Sequence, residues 1–206
     1  MTTLYLVRHS EPIKVHMGIE EVDDTILLSN IKSPLSINGE HLAETISNNK
    51  EFSNLDVVWS SDYVRAMSTA KYFAFNNNLK VNVSNKLGER KHGINSWNEL
   101  PEDFERKQFL DENYKVGNGE SQKETKEREY SFLLKILEEY SNKRILIVGH
   151  STAFAFLLSY WCEVSYDKEY YFNGIPFFDG KWNYCETFKL EFYDNNNLIN
   201  IQNLKF

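Results

Sequence analysis

The chain has 206 residues, 41% of them hydrophobic, and a formal net charge of −7. That length and apolar share suit one α/β domain carrying lid or insertion segments and argue against a disordered chain. The acidic balance argues against the broad basic face that nucleic-acid or membrane-surface binding needs, yet it leaves room for a local basic pocket. The two cysteines, Cys162 and Cys185, form no C-x-x-C pair, so neither a disulfide framework nor a zinc site is indicated and reduced thiols in the cytoplasm are expected. The first strand signal begins almost at residue 1, which does not suit a secretory leader. The apolar run around Phe154 to Leu158 is too short to span a bilayer.

Thr3 to Val7 reads as a buried strand. Lys14 to Ser33 mixes charge without periodicity and stops at Pro34, the pattern of a loop or insertion. Ser36 is placed to cap a helix that runs to about Asn49. Leu55 to Trp59 is a second strand, and Ser60-Ser61-Asp62 then caps a helix to about Phe75. Lys80 to Val83 is a short strand. Gly88 to Asn118 is irregular, with one helix after Pro101. Glu120 to Tyr140 carries Phe132, Leu133, Ile136 and Leu137 at helical spacing. Arg144 to Val148 is the most apolar strand, followed by a helix from Ser151 to Trp161. The segment from 162 to 183 reads as a further lid. Tyr184 to Tyr193 and Leu198 to Leu204 form a hairpin turned by Asp194 to Asn197. Strands alternating with helices predict a three-layer α/β/α sandwich, its sheet mostly parallel with an antiparallel C-terminal edge hairpin.

Three of these strands end in unusual company. Leu4 to Val7 runs into Arg8 and His9, groups that are costly at the end of a buried strand unless paired. Leu55 to Trp59 is followed by Arg65 in the first turn of the next helix. Ile145 to Val148 leads to Gly149 and His150. In parallel neighbouring strands, two arginines and two histidines would meet at one edge of the sheet, beside two helix N-termini. Guanidinium forks, imidazoles and free backbone N–H groups together suit a phosphate dianion. Each residue taken singly is open to a plain structural reading, as an edge pair or a surface side chain.

The same positions resemble the motifs of the histidine phosphatase superfamily, the phosphoglycerate-mutase-like group. Arg8-His9-Ser10-Glu11 is similar to its R-H-G-E motif, and Leu35-Ser36-Ile37-Asn38-Gly39 to its L-[ST]-x-x-G helix start. Ser60-Ser61-Asp62-Tyr63-Val64-Arg65-Ala66-Met67-Ser68-Thr69-Ala70 resembles S-S-x-x-x-R-A-x-x-T-A. Leu87-Gly88-Glu89 with Gly93, Gly119-Glu120-Ser121, and Gly149-His150-Ser151 resemble three further elements. The matches fall in family order from residue 8 to residue 151. The resemblance implies a phosphohistidine mechanism without cofactor or metal. His9 is then the nucleophile, Glu89 the proton donor and acceptor, and Arg8, Arg65 and His150 the phosphate clamp. No metal-ligand spacing is seen in the sequence.

Two features depart from the family pattern. Serine stands where glycine is expected after each histidine, at Ser10 and Ser151, and either hydroxyl is a candidate substrate contact or N-cap. Arg90, Lys91 and His92 follow Glu89, and Arg90 and Lys91 are candidate substrate-binding residues for a second anionic group. The expected partner is therefore a small, anionic phosphate ester and the expected activity that of a phosphomonoesterase. A phosphoglycerate-type mutase and a non-catalytic phospho-ligand-binding protein remain alternatives, and the oligomeric state is open.

Overall fold

Alternating side chains along the central strands divide the core into two faces of one sheet. The computed structural model describes residues 1–14, 27–166, 168–193 and 197–206. Its strands, in chain order, are β1 (Thr2–Arg8), β2 (Val57–Ser60), β3 (Val81–Val83), β4 (Arg144–Gly149), β5 (Tyr170–Phe172), β6 (Ile175–Phe178), β7 (Thr187–Phe192) and β8 (Leu198–Leu204). Its helices are α1 (Ile37–Ser47), α2 (Val64–Asn76), α3 (Phe104–Leu110), α4 (Gln122–Glu139) and α5 (Ser151–Leu158).

Six strands lie in the order β3-β2-β4-β1-β7-β8, and β5 and β6 form a separate two-stranded sheet. The pairs β3·β2, β2·β4 and β4·β1 are parallel, whereas β1·β7 and β7·β8 are antiparallel. Leu4 and Leu6 of β1 and Ile145 and Ile147 of β4 pack with Leu133, Ile136, Leu137, Phe154 and Leu158 of α4 and α5. Tyr5, Val7, Leu146 and Val148 face the other way, onto Ala66, Ala70 and Phe73 of α2. Each large apolar side chain so buried contributes roughly 1.5–3 kcal/mol. The helices therefore cover both faces of strands that are apolar on both sides.

Local chemistry sets the ends. Ser36 Oγ accepts from Gly39 N at 2.9 Å to start α1. Ser121 and Glu124 form a reciprocal capping box at α4, a device typically worth about 1 kcal/mol. The start of α2 differs from expectation: Tyr63 holds the N-cap position with no side-chain bond, and Ser61 Oγ accepts from Tyr63 N two residues earlier in the turn. α5 ends at Leu158 rather than Trp161, because the chain tightens into i→i+3 bonds from Ser159, Tyr160 and Trp161.

The larger difference lies between 162 and 183. That segment, read as an irregular lid, holds the β5–β6 hairpin. Its turn is Asn173-Gly174, with φ of 51° and 76°. Both values are positive, the conformation of the two-residue hairpin turn for which Asn-Gly is the preferred pair. Much of the Lys14–Ser33 segment, residues 15–26, and residues 194–196 of the C-terminal turn lie outside the described residues. The described end of the former winds into a short π-type turn over Leu27–Ile31.

Candidate active site

Strand register brings the two histidines together. Arg8 pairs with Gly149 across β1 and β4, so His9 and His150 leave adjacent strand ends. His9 N donates to Gly149 O at 2.9 Å, and the two imidazole centroids are 5.2 Å apart. Ser60 of β2 pairs with Val148, and α2 then carries Arg65 over both rings. Arg65 Nε donates to His9 Nε2 at 2.9 Å, and its Nη2 lies 3.2 Å from His150 Nδ1.

These contacts fix the tautomers. His9 Nδ1 sits 2.7 Å from the Ser10 carbonyl, an acceptor only, so Nδ1 carries the proton and Nε2 keeps its lone pair. Burial first, then the charges of Arg65 and Arg8, hold His9 well below the usual histidine range, which keeps it neutral. His150 is depressed by the same causes and is fully buried. Its Nε2 faces Ser61 Oγ at 2.8 Å, so Nε2–H donates there and Nδ1 accepts from Arg65.

Arg8 enters the same space from β1. Its Nη1 donates to Trp182 O at 2.6 Å and its guanidinium stands 4.8 Å from the Tyr184 ring centroid. Arg8 Nε is buried and has no partner among the described residues, a donor left for a ligand. Glu89 comes from the loop before residue 93. Its carboxylate accepts from Ala153 N and Arg90 N, each at 2.9 Å, and from Thr152 N at 3.3 Å. It thus caps α5, so that helix N-terminus is occupied by a carboxylate rather than open to an anion. Arg8, His9, Arg65 and Glu89 line one cavity of about 250 Å³. Among the described residues, no group of three or more His, Cys, Asp or Glu side chains is placed to hold a metal ion. Among the same residues, no helix is long and apolar enough to cross a membrane.

The family model of the histidine phosphatase superfamily (branch 1) matches residues 4–202. The chain belongs to that superfamily. Phosphoserine phosphatase 1 of Hydrogenobacter thermophilus is 29% identical over 164 residues, spanning 73% of this chain and 72% of that protein. Among solved structures, the phosphoserine phosphatase of Entamoeba histolytica, in complex with 3-phosphoglyceric acid, superposes with a TM-score of 0.67 at 20% identity. It covers 100% of this chain and 98% of its own. A mycobacterial glucosyl-3-phosphoglycerate phosphatase, in complex with inorganic phosphate, gives 0.69 at 13% identity, with 99% and 96% covered. At these identities the two structures speak for the fold.

In this histidine phosphatase the motif residues turn out to hold one another. Ser10 N donates to Thr69 Oγ1 at 2.9 Å, and Thr69 Oγ1 donates to Arg65 O at 2.8 Å. Ser36 N donates to Glu11 O and Ser36 Oγ to Glu11 Oε1. A Cβ on Gly39 would sit 2.1 Å from Glu11 O, so only glycine lets α1 approach the segment after His9. The Ser10 hydroxyl is not a substrate contact or an N-cap: it donates to Gly39 O at 2.7 Å and is fully buried. Ser151 does line the cavity, as the first helical residue of α5, with His150 in the N-cap position. Neither serine has a positive φ, so neither position needs the glycine of the family pattern.

The basic trio divides. Arg90 is buried and lines the cavity; it donates to Gln108 Oε1 and pairs with Glu105. His92 lines it too. Lys91 is exposed and lies outside it. Sequence reasoning missed Asn30, whose backbone carbonyl and side-chain Oδ1 both accept from the Arg65 fork. It also missed Tyr184 as a wall beside Arg8. Asn30 sits in a stretch with no motif or periodicity, so nothing in the sequence marked it.

Proposed function

We propose that this protein hydrolyses phosphate monoesters through a phosphohistidine on His9, with no metal ion. The observation that carries this reading is the His9 tautomer: Nδ1–H is committed to Ser10 O, and the Nε2 lone pair points at Arg65 in the cavity shared with Glu89. Phosphatase relatives of the same superfamily support it.

A phosphate takes the Arg65 fork in place of Asn30 and of His9 Nε2, which frees that lone pair, and adds the idle Arg8 Nε. Two guanidinium groups then supply the positive charge that faces the transferring phosphoryl group. In the first half-reaction His9 Nε2 attacks phosphorus, the bond to the ester oxygen breaks, and Glu89, protonated at the start of the step, gives that oxygen its proton and is left as the carboxylate. In the second, Glu89 takes a proton from water, the oxygen attacks phosphorus, and the N–P bond breaks to release phosphate and neutral His9. The ordinary backbone at Ser10 and Ser151 weighs against a binding-only role.

The test is turnover of p-nitrophenyl phosphate in EDTA, with phosphate incorporation followed on the protein. Wild type should turn over and form an acid-labile, base-stable phosphoenzyme, and His9→Ala should lose both. A wild type that yields neither, across a panel of phosphate esters, would sink the reading.

A further inference from the structure

A second cavity, of about 160 Å³, opens beside the catalytic one and shares Arg90 and Ser151 with it. Its apolar walls are Phe109 of α3, Phe156 of α5, Tyr166, Tyr170 of β5, and Trp182. The Phe109 ring lies 5.7 Å from Tyr166 and 6.4 Å from Phe156. Trp182 is held in an aromatic cluster, 5.2 Å from Phe178 and 5.1 Å from Phe188. The backbone carbonyl of that same Trp182 receives Arg8 Nη1. One residue thus walls the second cavity and holds the phosphate-binding arginine. Ser151 and Thr152, which also line it, begin the helix whose N–H groups hold Glu89. The cavity therefore starts beside the group that protonates a leaving oxygen.

Charge along this path is already balanced. Arg90 faces both cavities; Glu105 pairs with its Nη2 and Gln108 accepts from its Nη1, while its Nε is buried without a partner among the described residues. His92 accepts from Arg90 Nη2 and packs against Trp97 and Phe104. Lys91 lines neither cavity. Beyond Arg8 and Arg65, the two cavities present no cation without a carboxylate partner among the described residues. A leaving group with its own carboxylate would compete with Glu105 for the one arginine on this path, which is costly. A flat apolar ring would instead gain edge and face contacts with the aromatic walls. The basic trio, read from sequence as a mark of an anionic substrate, thus brings one carboxylate-paired arginine and one histidine to the cavities and keeps its lysine outside both.

We propose that this cavity is the leaving-group subsite and that it selects phosphate monoesters of arylalkyl or aromatic alcohols over those of small anionic alcohols. This rests on the phosphatase reading above. The test compares kcat/KM for benzyl phosphate, n-propyl phosphate and 3-phosphoglycerate. Benzyl and propyl alcohols are close in acidity, so their ratio reads the subsite rather than the strength of the breaking bond. Benzyl phosphate should lead both others by about tenfold or more. In Phe109→Ala, and separately in Tyr166→Ala, the benzyl-to-propyl ratio should fall toward one. That ratio is internal to each variant, so partial loss of folded protein cancels. A preference for 3-phosphoglycerate, or a ratio unmoved in both variants, overturns the proposal. Turnover without benzyl preference removes the subsite alone, whereas absence of any turnover and of the phosphoenzyme removes the phosphatase reading and the subsite with it.

Discussion

The phosphate end and the leaving-group side of the site are built in different ways. Arg8, His9 and His150 stand at the ends of adjacent parallel strands, and Arg65 sits in the first turn of the helix that follows β2, so their positions follow from register within one sheet. Glu105, Phe109, Tyr166 and Trp182 come from a short helix and from loops flanking a small hairpin. The first group is fixed by backbone pairing deep in the core. The second is fixed by side chains packing on one another. Positioning by strands is the more exact of the two, and it serves the step where geometry matters most. Positioning by loops leaves the ligand class free to differ between proteins of one fold.

Substitutions can break or sharpen that contrast. The largest effect is expected at the phosphate end. Arg65 uses Nε toward His9 and Nη2 toward His150, a fork that a lysine cannot reproduce. Arg65→Lys should lower kcat/KM about 100- to 1000-fold, by analogy with losing one fixed donor to a developing charge. A loss under tenfold in steady-state assays would mean that the strand-end cluster is less exacting than its geometry suggests.

The next effect falls on the wall of the catalytic cavity beside Arg90 and is read in stability. Burial, and then the Arg90 charge, depress His92 to about 4, with Glu89 and Glu105 opposing. Its folded pKa is below its unfolded value, so the unfolded chain binds the proton first. Stability is therefore unaffected by His92 above about pH 6.5 and falls as the pH drops from there toward 4, by about 3 kcal/mol. His92→Gln keeps an acceptor for Arg90 without titrating, and urea midpoints measured across that range should decline less steeply. Parallel curves for the two proteins would refute this.

The smallest effect is expected at Ser10. Ser10→Gly loses the bond to Gly39 O and frees the backbone, which should cost about 1–2 kcal/mol in denaturant unfolding. It should not raise activity, because the hydroxyl faces α1 and the backbone is ordinary. A several-fold gain in turnover would show that the serine restrains the enzyme.

The same contrast governs what the sequence reveals. Arg8, His9 and His150 are legible because each follows an apolar run that reads as a buried strand, and Arg65 because motif spacing places it in the helix turn after such a run. Most strand positions and helix bounds follow from periodicity, whereas the order of the strands in the sheet does not. Asn30 and Trp182 are not legible. Asn30 acts through a contact made across the cavity, and Trp182 gives Arg8 its backbone carbonyl, which any residue possesses. The β5–β6 hairpin was legible in principle. Phe172-Asn173-Gly174-Ile175 is a strong two-residue turn signal, obscured by reading the aromatic residues around it as lid. The partners of Arg90 lie on α3, and no local pattern says which way that helix faces.

The hold of the C-terminal strands on Arg8 has a consequence for biosynthesis. Arg8 N donates to Glu186 O, its side chain to Trp182 O, and β7 covers the edge of β1 that β4 leaves open. A nascent chain that has emerged as far as residue 151 carries every motif, yet Arg8 then lacks both anchors and β1 is an exposed edge. The segment from Trp182 through β7 must therefore be made and docked before Arg8 is held in place and the edge of β1 is covered.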